Sequence, residues 1–212
     1  MIVDRLSAPP VLLIGAVRGL YSESDATLAQ LDRANPDHLG LALSPEEYEG
    51  IGTYFSDAEA ETTIHLIETE KSEIQALTRW GEVRVPNPTA VRAIEWARRR
   101  SVPIHPLDPP DEGAATMFTA SIGYVELVRR TLRERSLARA PPSAQSPDDF
   151  ALQWDRRMSA GSGSRDLARN RDSYLVAGAR EVLTKSRNLA VIVDRERFEL
   201  VRSLFRAPAD RP

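Results

Sequence analysis

The chain of 212 residues contains no cysteine. That excludes disulfides, thiolate metal sites and thiol nucleophiles together. Histidine is nearly as scarce: only His38, His65 and His105 occur, and no two of them stand at metal-ligand spacing. Aromatic residues make up 6% of the chain, too few to interleave with basic runs as a single-strand nucleic-acid groove requires. No window approaches the ~20 apolar residues of a membrane helix, and the first residues lack a basic region followed by an apolar stretch, so the expectation is a cytoplasmic protein with no membrane partner. Charge of one sign is also missing. The 28 basic and 31 acidic residues are interspersed and give a net charge of −3, which supplies no field for nucleic acid. Arg98-Arg99-Arg100 and the run from Arg129 to Arg135 sit at helix ends, where the dipole already explains them. Neither a Gly-x-Ser-x-Gly elbow nor a phosphate loop is present. Gly161-Ser162-Gly163-Ser164 reads as a linker, since no strand precedes it and no lysine follows in place.

What is present is alternation of short apolar runs with amphipathic segments, and hydrophobic residues form 42% of the chain. Val11 to Ala16, Leu39 to Leu43, Val102 to Leu107 and Leu189 to Val193 read as strands. Pro103 and Pro106 assign the third of these to an edge. Ser22 or Ser24 is expected to cap the first helix, and Ser44-Pro45-Glu46-Glu47 to start a second. Helical composition follows from Asp57 to Trp80, with His65 flanked by Glu61 and Glu68 as surface polar groups, and again after Pro86-Asn87-Pro88-Thr89. Gly113 to Arg135 reads as one long amphipathic helix with Met117, Phe118, Ile122, Val125, Val128 and Leu132 on its apolar side. Further helices are expected over Phe150 to Met158, Arg165 to Arg187 and Arg195 to Phe205. The prediction is a single α/β domain with a mostly parallel sheet of at least four strands flanked by helices. A helical insertion at about 113–187 would serve as an arm or lid, with a Pro/Ser-rich linker at 138–148 and a homodimer formed through the long helices.

Two turns past strand ends, Gly15-Ala16-Val17-Arg18 and Asp194-Arg195-Glu196-Arg197, stand where open α/β sheets place their sites. Between them come Leu39 to Tyr48, Gly81-Glu82, a helix bearing Ala90, Ala93 and Ala97, a strand leading to Asp108, and Arg171-Asp172-Ser173-Tyr174-Leu175. In this order, from about position 10 to 205, the motifs resemble the TraB/PrgY family, relatives of the Tiki and GumN proteins. The resemblance implies metal-dependent proteolysis, with histidines closing both turns and a glutamate ending the second strand. Here Arg18, Arg197 and Ala42 occupy those places. A guanidinium offers five donors and no lone pair, so the family's metal is not expected and no cofactor is assigned. The resulting expectation is a catalytically degenerate, TraB-like binding or regulatory module. Its binding residues would be Arg18, Arg197, Glu82, Arg171 and Tyr174, with Glu82 and Asp108 as catalytic candidates. Three readings of the arginines stay open: exposure to water, an ion pair replacing the metal, or a clamp on a small phosphate or carboxylate ligand. The competing class is a hydrolase using Glu46, Glu47, Glu82 or Asp108 with a displaced metal.

Overall fold

A computed structural model describes residues 1–7, 10–56 and 68–207. Its sheet has five strands in the order β1-β2-β5-β3-β4, where β1 is Ile2–Ser7, β2 Pro10–Ala16, β3 His38–Leu41, β4 Ile104–Pro106 and β5 Leu189–Asp194. The ladders β2–β5, β5–β3 and β3–β4 are parallel, and β1–β2 is antiparallel. The sheet is therefore mixed: three of its four ladders are parallel, in part as expected, and the unanticipated strand β1 adds an antiparallel edge. Strand β1 escapes sequence pattern because Asp4 and Arg5 interrupt its apolar alternation. Strand β4 lies at the edge, where its prolines cost no ladder bonds.

Side chains alternate between the two faces of the central strands. Leu12, Ile14, Leu39, Leu41 and Ile192 pack under α1 (Tyr21–Ala34), α2 (Pro45–Ser56) and α4 (Pro88–Arg99), through Leu31, Ile51, Ile94 and Trp96. Leu13, Val191 and Val193 meet α8 (Ser162–Leu183) and α9 (Phe198–Arg206) through Leu175, Val176, Phe198 and Val201. Val17, Leu20 and Leu137 form a third cluster with Leu77 of α3 (Glu68–Leu77) and with Phe150 and Trp154 of α7 (Pro147–Met158). That cluster holds the helical half of the chain against the turn after β2.

Helix α1 starts at Tyr21 without a side-chain cap, and the Ser24 hydroxyl instead donates back to the Tyr21 carbonyl at 2.6 Å. The expected Asp57-to-Trp80 helix is described only as α3 and a 3-10 turn at Thr78–Trp80; Glu61, Ile64, His65 and Ile67 lie outside the described residues. The long helix expected from Gly113 is two, α5 (Asp111–Ser121) and α6 (Tyr124–Arg139), parted at Ile122 and Gly123. The linker expected at 138–148 contracts to residues between α6 and α7, and Ser162 opens α8 rather than a linker. The first turn of α8 is capped from outside by Glu126, whose carboxylate accepts the Ser164 hydroxyl at 2.9 Å. No helix among the described residues is long and apolar enough to cross a membrane.

Helix α2 begins with a reciprocal capping box. The Ser44 hydroxyl accepts the Glu47 amide at 3.1 Å, while Glu47 Oε2 accepts the Ser44 amide at 2.9 Å. Ser44→Ala is expected to lower stability by about 1 kcal/mol in urea unfolding. An unchanged midpoint would show that the cap contributes nothing.

Candidate functional site

The carboxyl ends of β2, β3, β4 and β5 carry both arginines of the sequence signature, in different states. Arg197 precedes α9 and is tied on three donors. Its Nη1 and Nη2 donate to the two oxygens of Asp108 at 2.7 Å each, and Nε donates to Asp172 at 2.7 Å. Arg171, one residue before Asp172 on α8, donates to Asp108 at 2.7 Å as well. Two cations and two carboxylates thus form a network joining the end of β4, the start of α9 and the middle of α8, buried at Asp108 and Asp172 and open to solvent at Arg171. The Asp108 and Asp172 side chains are 2% and 3% exposed, so neither could stay ionised there without these partners. Burial opposes the charge on Asp108, but the Arg197 and Arg171 guanidiniums win and hold its carboxyl below the usual range. At Asp172 burial wins and the carboxyl lies above its ordinary value. Burial likewise opposes the charge on Arg197, and Asp108, Asp172 and Asp194 overcome it and raise its pKa.

Arg18 makes no ion pair among the described residues. It follows β2 and stays exposed, and its charge is reinforced first by Asp194, then by Glu47, Glu73 and Glu196. Because Asp194 acts on both arginines, Arg18 and Arg197 share one edge of the sheet. The turn carrying Arg18 needs Gly19, whose φ of 85° lies in the left-handed region.

Beside Arg18 opens a cleft of about 340 Å³ between α2, α3 and the segment before α4. Leu43, Ile51, Ile74, Leu77, Val85 and Pro86 give it apolar walls, and Glu47, Glu70 and Glu73 supply carboxylates. Burial pushes Glu73 up to about 7, against the pull of Arg18 and with added repulsion from Asp194 and Glu70. Glu196 is raised well above its ordinary value, by burial first and by Asp194 next. Carboxyl groups therefore crowd this sheet edge, and Glu73 and Glu196 are driven toward their neutral forms.

The remaining predicted residues lie elsewhere. Glu82 points to solvent and pairs with Arg84 at 2.7 Å, although its backbone carbonyl accepts the Tyr21 amide nearby. Glu46 is exposed on α2. Tyr174 lines a separate groove of about 490 Å³ between β4 and α8, together with His38, His105, Glu181 and Lys185. There Nδ1 of His38 and Nε2 of His105 stand 2.8 Å apart, the spacing of one shared proton. Burial, His38 and Lys185 keep the His105 imidazole below its ordinary pKa.

The donor set does not fit the metal that the family resemblance implies. Asp108, the retained carboxylate, has both oxygens occupied by guanidinium, and no three metal-ligating side chains converge among the described residues. Compared with models of known protein families and with curated proteins, the chain matches none. Glu73, Asp194 and Glu196 were not singled out in sequence. Carboxylates on a helix and in a turn carry no spacing signal, and only the fold brings them to Arg18.

Proposed function

We propose that this protein is a binding module on a catalytically degenerate TraB-like scaffold, with its ligand site in the cleft beside Arg18. The observation that carries this reading is the division of labour between the two arginines. Arg197 spends its donors inside the protein, where a guanidinium–carboxylate network ties the strand ends that a metal would tie in the family. Arg18 remains accessible in an apolar cleft at the sheet edge where α/β folds bind ligands.

The charge of the cleft indicates the ligand class. Glu47 in the cleft wall and Asp194 behind it act on Arg18, the raised carboxyls of Glu73 and Glu196 reflect the same crowding of carboxyl groups, and Arg84 at the rim is already paired with Glu82. An anion would meet this field unfavourably. A small organic cation with an apolar body would replace the missing positive charge and cover Leu43, Ile51 and Ile74, and it would discharge the proton held by Glu73. The same carboxylates steer a cation to the mouth of the cleft, so association should weaken as salt rises.

Benzamidine and n-hexylamine are suitable probes in titration calorimetry. Binding at pH 6.5 is expected to release protons, visible as a dependence of the heat on buffer ionisation enthalpy. Glu73→Gln should remove that release and weaken binding about tenfold, equivalent to ~1.4 kcal/mol. Saturable binding of phosphate or acetate, abolished by Arg18→Ala, would favour the anion clamp instead. Stoichiometric Mn, Zn or Co in the purified protein would favour the displaced-metal hydrolase.

A further inference from the structure

Strand β4 holds its edge of the sheet with few bonds of its own. Only three of its residues pair with β3, and Pro106 within it and Pro103 before it bring no amide to the ladder. Flanking that ladder, the Leu39 amide donates to the Pro103 carbonyl and the Leu107 amide to the Leu41 carbonyl, at 2.9 Å each. A side-chain contact adds to them. In the groove under α8, Nδ1 of His38 meets Nε2 of His105 at 2.8 Å, with the ring planes 15° apart. Ring faces cannot approach so closely, so the two imidazoles meet edge to edge, in the arrangement of an N–H···N hydrogen bond.

That bond has a fixed proton requirement. A neutral imidazole carries one N–H and one lone pair, so two neutral rings share one hydrogen between the facing nitrogens. One further proton leaves the bond in place, as an imidazolium donating to an imidazole, and the charge strengthens it. Another puts N–H on both facing nitrogens, and two donors cannot stay at 2.8 Å. The surrounding groups set the order of charging. Asp37, immediately before β3, lies within electrostatic reach of His38, and α8 contributes Tyr174, Glu181 and Lys185. The first charge therefore belongs on His38, beside the Asp37 carboxylate. The second falls on His105, where burial, His38 and Lys185 oppose it.

We infer that the His38–His105 contact is an acid-opened latch on β4, closed while at most one of the two imidazoles is charged and released when both are. The groove gives the released ring somewhere to go. About 490 Å³ lies between β4 and α8, opposite the small side of α8 at Ala177 and Gly178, and Glu181 offers a carboxylate in the same space. Turning from His38 toward Glu181, the His105 ring exchanges a repulsion for an ion pair. The consequence reaches Asp108, three residues along the chain, whose oxygens hold Arg197 and Arg171. Release of β4 in mild acid thus loosens the guanidinium network before the Asp108 carboxylate itself takes a proton. The inference stands apart from the ligand reading, since the groove and the cleft beside Arg18 share no lining residue among those described.

Hydrogen exchange of the full chain, followed by NMR between pH 7 and pH 4.5, tests the latch. The amides of Leu39 and Leu107 report the attachment of β4, and that of Leu13, in the middle of β2, serves as the reference. After correction for the intrinsic pH dependence of exchange, protection of Leu39 and Leu107 is expected to fall about tenfold per pH unit below the second ionisation, while Leu13 keeps its protection. His105→Gln retains a group that donates or accepts toward His38 but cannot charge, so protection of its β4 should stay constant. Glu73, which takes its proton over the same range in the other cleft, is common to both proteins and cancels. Nitrogen-15 titration of the histidine rings gives a second readout on the unaltered pair, with His65→Gln identifying the signals of the third ring. His38 and His105 should charge in two separate steps. His38→Asn should move the His105 step toward higher pH, and Glu181→Gln should move it lower. Unchanged protection of β4 down to pH 4.5, an equal loss in His105→Gln, or a single joint step for both rings would overturn the inference.

Discussion

Replacing Arg197 with methionine is expected to cost 3–5 kcal/mol of stability, roughly the penalty for breaking a buried ion pair by removing one partner. The loss comes from what remains. Asp108 and Asp172 would keep their burial and lose their main compensating cation, since Arg171 reaches only one oxygen of Asp108 and its side chain is 44% exposed. Against a total stability of about 5–15 kcal/mol, a loss of this size leaves little margin. Arg197→Lys should recover only a fraction, because one ammonium cannot meet both oxygens of Asp108 and one of Asp172 in plane. Adding D108L and D172L to the methionine variant should recover more than lysine does, since an apolar replacement leaves no charge unpaired. The pH dependence has a definite sign. Asp108 is held below its ordinary value of 3.8, so its contribution is present above that pH and is lost as pH falls through the folded-state value. The gap between wild type and Arg197→Met, measured by urea unfolding, should therefore narrow in acid. A gap under about 1 kcal/mol at pH 7 would reduce the network to an exposed ion pair and remove the structural half of the functional reading.

Much of the frame is legible from residue order, and what is not has identifiable physical causes. The runs Val11 to Ala16 and Leu189 to Val193 are uninterrupted because both faces of β2 and β5 are covered, and no other environment tolerates them so well. Asn87 before Pro88 caps α4 by accepting the Thr89 amide at 3.1 Å, in keeping with the chain break read at that point. Periodicity misled over Val125, Val128 and Leu132. They continue the apolar rhythm of Met117, Phe118 and Ile122, yet they face outward once Ile122 and Gly123 break the helix. A hydrophobic pattern reports that a face is to be covered, not that this chain covers it.

The site divides in the same way. Arg18, Arg197, Asp108 and Arg171 stand at motif positions and were visible as candidates; the structure joins the last three and keeps Arg18 apart. Asp172 adjoins Arg171 in the sequence but shows its role only when α8 brings it to Arg197. Glu82 has the right position in the motif order, and its side chain turns to Arg84 instead.

Glu73→Gln is expected to stabilise the protein at neutral and alkaline pH. A carboxyl raised from 4.5 to about 7 on folding keeps a proton that the unfolded chain has already released, so it burdens the fold increasingly as pH rises across that window. At 1.36 kcal/mol per pKa unit the full shift would exceed 3 kcal/mol, and because Glu73 is only partly buried about 1–2 kcal/mol is the realistic gain at pH 8. For a chain of this length that corresponds to a rise in melting temperature of roughly 2–8 °C. Near pH 4, where Glu73 is protonated in both states, the variant and wild type should melt together. His105, whose imidazole is depressed, acts in the opposite sense as pH falls below its ordinary 6.5. It lies in the separate groove beside α8 and cancels in the difference between the two proteins. Scanning calorimetry at matched pH values would read this difference directly, and a Glu73→Gln protein less stable than wild type at pH 8 would show that the carboxylate is well solvated or paired. A gain, coupled to weaker binding of the organic cation, is the signature of a charge retained at a cost in stability because a ligand uses it.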